Sequence, residues 1–313
     1  MEKFMKIFLT GATGLLGSHL LEQGLENGHE FIIPYRKITK RHYLNDFIED
    51  NRITTIEMDL MNDIDVNLLN EIDVIINSAA FASPFEKDYD QMVAINTELP
   101  KRLYKAGKKA DVAKFIQISS TSVLGSEESS KTLTEEDSEY MRDTPYAKTK
   151  KAADDWLWDK TDVATIHPGF MLDRYDSRPS SGAILMALKM KKFNVYINGI
   201  KNIVAASDVA KGIYQLLEAE KFGNYILGGE NISIANFLKM ACEKIGKEFS
   251  ELQEITEDQL IEHQLEREFC LTSPVSSDKA KNDFGYVPVH NIEQCLDNTL
   301  EWFQEKKMMR VKK

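Results

Sequence analysis

Cysteine is scarce in this chain. Cys242, Cys270 and Cys295 are the only three in 313 residues, no two form a CxxC pair, and one is left over, which excludes a disulfide framework and is the usage of a reducing, cytoplasmic compartment. Positive charge is in deficit: 39 Lys plus Arg against 50 Asp plus Glu leaves a net −11. That field opposes the phosphate contacts on which nucleic-acid affinity rests, so nucleic acid is not an expected partner. Long apolar runs are missing as well, and no window reaches the ~18 uninterrupted apolar residues of a membrane span. The first twenty residues have the outline of a signal peptide, but Gly11, Gly14 and Gly17 interrupt the run and no A-x-A site follows. The six histidines, His19, His29, His42, His167, His263 and His290, form no HxxxH or cysteine-paired cluster, so no metal site is expected. Repeats and low-complexity tracts are likewise wanting.

What is present is a soluble composition, 42% apolar and 28% charged, in a chain long enough for about two domains or one large α/β unit. Strand-like runs at Phe4–Thr10, Phe31–Ile33, Ile53–Met58, Ile72–Asn77, Lys114–Ser119 and Val163–His167 are separated mostly by helix-length segments. Runs such as Val74-Ile75-Ile76 do not alternate, as strands buried on both faces of a parallel sheet do not. This predicts an α/β, doubly wound parallel sheet. Leu16, Leu20, Leu21 and Leu25 share helical spacing over Leu15–Asn27, and Gly28 stops the helix. Beyond His167 the rhythm breaks into a smaller, irregular lobe, with an acidic stretch at Glu251–Glu268 expected to be helical. A helix at Ser207–Ala219, with Ser207 as its cap, and a strand at Asn224–Leu227 return to the sheet. The expected division is a dinucleotide-binding domain of residues 1–168 rejoined by 204–229, and a substrate lobe of 169–203 and 230–313.

The first strand runs directly into Thr10-Gly11-Ala12-Thr13-Gly14-Leu15-Leu16-Gly17 and then a helix. Gly11 suits a tight turn, Gly14 leaves room for a pyrophosphate, Gly17 permits close packing of helix on strand, and the helix N-terminus faces the anion. Thr13, Leu15 and Leu16 complete the expected loop. The spacing is GxxGxxG, and its strand and helix flanks make it a dinucleotide site. The second strand ends in Pro34-Tyr35-Arg36-Lys37, with cations where a carboxylate would favour a free ribose 2′-hydroxyl. Arg36 and Lys37 therefore favour NADP(H), because a guanidinium chelates phosphate, while NAD(H) stays possible. Asp59, with Leu60 after it, is a candidate for the adenine end.

After the fifth strand comes Ser119-Ser120-Thr121-Ser122-Val123-Leu124-Gly125, and then Tyr146-Ala147-Lys148-Thr149-Lys150 behind Pro145. Tyr146 and Lys150 stand one helical turn apart on one face. A phenol titrates near 10, and lowering it by about three units takes ~4 kcal/mol. One ammonium about 4 Å away, at an effective dielectric near 20, supplies about that much. Tyr146 can then exchange a proton near neutral pH, with Ser120 holding a substrate oxygen. Tyr104 and Lys108 repeat the spacing without a serine cluster upstream, so Tyr104 reads as packing. Ser120 is not within G-x-S-x-G, which argues against an acyl-transfer nucleophile.

Together with Asn77-Ser78-Ala79-Ala80 and Asn96-Thr97, these motifs resemble the extended short-chain dehydrogenase/reductase family, the NAD(P)-dependent epimerase/dehydratase-like group, over nearly the whole chain. The tail from Ser277 to Phe303 resembles that family's closing segment. The resemblance implies Ser120, Tyr146 and Lys150 as the catalytic set. It also implies that Ala79 and Ala80 line the cofactor, that Lys150 binds the nicotinamide ribose, and that His167 to Gly169 border the carboxamide. Asn96, counted with the cofactor-binding residues, stays open between positioning a backbone, positioning a proton relay and capping a helix. Phe81, Phe85, Phe170 and Met171 suggest an apolar substrate wall or core. A homodimer joined by the helices carrying Tyr104 and Trp156 is implied by the same analogy.

Three functional readings follow. The first is reduction of an aldehyde or ketone with NADPH; the second is a nucleotide-sugar epimerase with retained NAD; the third is a non-catalytic NADP-sensing module, which the intact set of three disfavours. Family dehydratases carry Asp-Glu after the catalytic hydroxyl, where this chain has Thr121 and Ser122, and Leu124 stands where many sugar-modifying relatives have Tyr.

Overall fold

A computed structural model describes residues 4–36, 47, 49–62, 64–83, 85–125, 131–138, 144–256, 259 and 273–309. Lys37 and Cys270 lie outside the described residues, as does most of the acidic stretch expected to be helical. Seven strands form one parallel sheet: β1 (Lys6–Thr10), β2 (Glu30–Tyr35), β3 (Ile53–Glu57), β4 (Val74–Asn77), β5 (Lys114–Ile118), β6 (Val163–Pro168) and, far along the chain, Gly223–Leu227. Their spatial order is β3-β2-β1-β4-β5-β6 with Gly223–Leu227 outermost beside β6. The order reverses between β1 and β4, the point at which doubly wound sheets bind ligands.

Helix α1 (Leu15–Glu26) covers one face of the sheet with Leu16, Leu20, Leu21 and Leu25, and Gly28 follows it at φ +81°. Each fully buried leucine there contributes roughly 2 kcal/mol of transfer free energy. A short helix, α2 (Tyr89–Met92), leads through a π-helical turn at Val93–Glu98 into α3 (Leu99–Lys109). With α4 (Pro145–Leu157), α3 covers the opposite face, burying Leu99, Leu103 and Leu157 against Phe8, Ile75 and Phe115.

A second, three-stranded sheet joins β7 (Phe170–Leu172), β9 (Ile200–Ala205) and β11 (Glu230–Ser233), while β8 (Val195–Tyr196) pairs with β12 (Gln253–Glu254); Gly223–Leu227 is thus β10. Its core is closed by α5 (Ala183–Lys189), α7 (Ile234–Ile245) and α9 (Ile292–Glu305). Helix α6 (Ala206–Glu218) returns to pack on α1, and α8 (Asp278–Phe284) on β10.

Three elements differ from expectation. Ser207 is not the cap of α6: the helix starts at Ala206, and Asp173, at the end of β7, accepts from the Ser207 N–H and hydroxyl at 3.0 and 2.6 Å. A distant carboxylate thus does what a local serine was expected to do. Ile72 precedes β4, because its N–H closes a turn on the Leu69 carbonyl. The described start of the acidic stretch, residues 251–256, holds the last residue of a 3₁₀ turn, Phe249–Glu251, and then β12 where a helix was expected, and the rest of the expected helix lies almost wholly outside the described residues.

Candidate active site

The expected site residues fall along one edge, beyond the carboxyl ends of neighbouring strands. Asp59 follows β3, Arg36 follows β2, the glycine loop follows β1, Ala79 and Ala80 follow β4, Ser120 follows β5, and His167 closes β6. Residues more than a hundred positions apart are therefore gathered on one edge of the sheet.

The glycine loop is built by close approach. Gly11 has φ +71°, and a Cβ there would sit 2.6 Å from the Ser78 backbone carbonyl, so only a glycine lets the loop after β1 pass this close to the chain leaving β4. A Cβ on Gly17 would come within 2.1 Å of the Gly11 carbonyl oxygen. Helix α1 starts at Gly14 with no capping side chain and no acidic residue in its first turn. Its first-turn N–H groups therefore have neither a capping side chain nor a neighbouring carboxylate of the helix's own first turn.

A buried polar path crosses from this loop to α4. The Thr10 hydroxyl donates to Asn77 Oδ1 at 2.6 Å and accepts from the Ala79 N–H at 3.2 Å. Asn77 Nδ2 donates to Gln117 Oε1 at 2.8 Å, and Gln117 Nε2 donates to the Ile118 carbonyl at 3.0 Å. Lys150 Nζ donates to that same carbonyl at 2.8 Å. Every polar group on the path has a partner, as burial at the sheet centre demands.

Helix α4 begins at Pro145 because Thr144 caps it, accepting from the Ala147 N–H at 3.1 Å, and proline suits a first turn. Tyr146, Lys150 and Asp154 follow at single-turn spacing. Lys150 is 1% exposed and its Nζ lies 6.0 Å from the centre of the Tyr146 ring. Burial pushes the Lys150 ammonium below its ordinary range, opposed by the Asp154 carboxylate. Burial pushes Asp154 up, opposed by the Ser119 hydroxyl, which donates to Asp154 Oδ2 at 2.5 Å, and by Lys150. His167 Nδ1 lies 3.4 Å from the Ser120 carbonyl and 3.9 Å from Asp154, and burial lowers it to about 4, so it is neutral. Lys150, Asp154 and His167 thus hold Ile118, Ser119 and Ser120 in turn. The Ser120 hydroxyl accepts from the Ser122 N–H at 3.1 Å and keeps its own proton to donate.

Other expected residues are engaged differently. Asn96 is buried, its amide spent on the Phe81 N–H and carbonyl at 2.9 and 2.8 Å and on the Thr149 hydroxyl at 3.1 Å. Of the roles left open, backbone positioning of Phe81 is the one its contacts make. Asp59 is exposed and turns back on the Met61 N–H, while the Leu60 carbonyl accepts from Arg102. Gly169 packs against Asn202. Phe170 meets Phe237 and Met171 packs against the main core, both of them partly buried, whereas Phe85 is half exposed. Tyr104 packs on Phe115 and Trp156, with its hydroxyl on Asp162. Gln117, Asp154 and Arg178 escaped the sequence reading. A lone polar residue in Phe115-Ile116-Gln117-Ile118 and an acid one turn beyond Lys150 are the signals that mark the first two. Arg178 has none in the sequence.

Among the described residues, no helix is long and apolar enough to cross a membrane. A putative dihydroflavonol 4-reductase from Synechocystis sp. is 23% identical over 244 residues, 74% of this chain and 70% of that relative. The dTDP-glucose 4,6-dehydratase of Neisseria gonorrhoeae is 22% identical over 97% of each chain. A UDP-glucuronic acid 4-epimerase from Bacillus cereus, solved with UDP-glucuronic acid and NAD, superposes with a TM-score of 0.82 at 21% identity, over 96% of this chain and all of that one. Residues 7–228 match the model of the NAD dependent epimerase/dehydratase family. With the glycine loop, the sheet order and that match in agreement, the chain belongs to the NAD dependent epimerase/dehydratase family.

Proposed function

We propose that the protein is an NADP(H)-dependent oxidoreductase that reduces the carbonyl of a small aldehyde or ketone to an alcohol. The observation that carries this reading is the placement of Lys150, buried, tied to the Ile118 carbonyl two residues before Ser120, and 6.0 Å from the Tyr146 ring on a shared helix face. Ser120 orients the carbonyl oxygen, Tyr146 donates the proton to it, and Lys150 tunes the phenol and holds the nicotinamide ribose. The dinucleotide fits the chain: a Cβ at Gly11 or Gly17 would collide with backbone, and the first turn of α1 is left uncapped. When bound, the reduced nicotinamide supplies the hydride that no side chain can.

Arg36, exposed directly after β2 with no acid at the strand end, supports the phosphorylated coenzyme. Thr121 and Ser122, in the 3₁₀ turn after Ser120, provide no carboxylic acid for dehydration. Retained NAD in an epimerase is the second reading, favoured by the likeness to the UDP-glucuronic acid 4-epimerase. Denaturing the purified protein and identifying the released dinucleotide separates the two. An empty site that then oxidises NADPH with a carbonyl panel supports the reductase, and stoichiometric NAD supports the epimerase. We further infer a cytoplasmic homodimer that pairs α3 with α4, from the sparse cysteines and the exposed Trp158 beside the Tyr104–Trp156 contact.

A further inference from the structure

Two arginines reach the cofactor edge of the sheet from outside it. Arg178, between β7 and α5, donates through Nη2 to the Thr13 hydroxyl of the glycine loop at 2.8 Å. Arg102, on α3, reaches the other end of that edge, the turn that follows β3, and there it meets backbone. Its Nη1 donates to the Met61 carbonyl at 2.7 Å and its Nη2 to the Leu60 carbonyl at 3.0 Å, with the Met61 sulfur 3.9 Å from Nη2. The Nε is buried with no hydrogen-bond partner, and among the described residues no carboxylate pairs with the guanidinium. Unmet buried donors are uncommon in folded chains, and this one is left over when the planar fork is aimed at two successive carbonyls.

The turn so held is compact. The Asn62 N–H donates to the Asp59 carbonyl at 3.0 Å and the Met61 N–H to Asp59 Oδ1 at 3.0 Å, while Met58 and Leu60 pack with Leu99 and Leu103 of α3. Apolar packing seats the turn but has no direction. The guanidinium supplies direction, because it fixes two consecutive carbonyls in one plane and, through the Met61 N–H, the Asp59 carboxylate. That carboxylate is exposed at the end of β3, two strands from the glycine loop after β1, with Arg36 at the end of β2 between them. A dinucleotide with its pyrophosphate on the loop after β1 and its adenosine ribose at the end of β2 extends its adenine to the end of β3. We propose that Arg102 is a positioning residue for the adenine end: through the Leu60 and Met61 carbonyls it holds the Asp59 carboxylate where the amino group of adenine donates to it. The inference rests on the proposed dinucleotide binding and adds a residue that itself touches no part of the ligand.

The test is titration of NADPH and of its hypoxanthine analogue, followed by nicotinamide fluorescence, into wild-type protein, Arg102→Met and Arg102→Lys. The corresponding NADH pair is titrated alongside, and melting of the ligand-free proteins is the fold control. The analogue replaces the amino group of adenine, a donor, by an oxygen that a carboxylate repels. Wild-type protein is expected to prefer the adenine dinucleotide roughly tenfold, the lower range for a hydrogen bond to a charged group. Arg102→Met is expected to bring that preference near unity by weakening the adenine dinucleotide alone. Arg102→Lys, whose ammonium lacks the planar fork, is expected to fall between the two, and it decides the question should the methionine variant not fold. A preference that keeps its wild-type value in Arg102→Met, or in Arg102→Lys where that is the folded variant, would overturn the inference, whether both affinities hold or both drop together, because general loosening of the fold does not distinguish the two bases. Wild-type protein indifferent to the base also overturns it and leaves dinucleotide binding standing. Wild-type protein that binds neither dinucleotide removes the cofactor reading and the inference together.

Discussion

Tyr146 and Lys150 show how a pair of residues acquires chemistry from its surroundings. Their spacing puts them on one helix face, but the Ile118 carbonyl fixes where the ammonium lies, and burial, opposed by the Asp154 carboxylate, governs how readily it keeps its charge. Tyr146→Phe is expected to cut turnover at least about a hundredfold, the lower range of proton-transfer contributions, while NADPH affinity measured by fluorescence is unchanged. His167 carries a prediction for stability. Burial lowers it from 6.5 to about 4, so its neutral form is the one that fits the fold. The stability it contributes is therefore fully present above pH 6.5 and is lost as the pH falls through about 4, a difference of roughly 3 kcal/mol. His167→Gln, which cannot take up that proton, is expected to flatten the fall in Tm between pH 7 and pH 4 in a series of thermal melts. Asp154 was invisible because an acid one turn beyond a lysine is ordinarily a solvated surface pair; only its 6% exposure and the Ser119 hydroxyl show it to be internal.

Among elements, β1, the glycine loop and α1 were readable with little loss, because the constraint on them is local and steric. Gly17→Ala is expected to destabilise the protein by about 1–3 kcal/mol, the cost of overpacking, since its Cβ would meet the Gly11 carbonyl at 2.1 Å. The same variant is expected to weaken dinucleotide binding, with chemical denaturation and fluorescence titration as the two measurements. The start of α6 was misread for the opposite reason. A serine before an apolar period is a cap by local rules, yet Asp173 supplies that cap from another strand, and no local pattern records it. Asn96 belongs with it: its position in a π-helical turn aims the amide back at Phe81, which sequence spacing alone left open.

For the whole molecule, the C-terminal edge of the parallel sheet gathers β1, β4, β5 and β6 side by side, and the Thr10–Asn77–Gln117 path stitches the first three together. A homodimer through α3 and α4 predicts twice the monomer mass in size-exclusion chromatography with light scattering. Trp158→Glu, an exposed change on that face, is then expected to shift the molecule to monomer without lowering its Tm below that of other monomers. The sequence by itself determined the alternation of buried strands and helices, the glycine loop and the Tyr146–Lys150 face, because each follows from backbone sterics or helical period within a few residues. Only the tertiary structure decided what meets across the chain: Gln117 and Lys150 on one carbonyl, Asp173 on Ser207, Arg178 on Thr13. Those contacts are products of strand order and lobe packing, and the long-range burial that selects them leaves no periodic trace in the residues that make them.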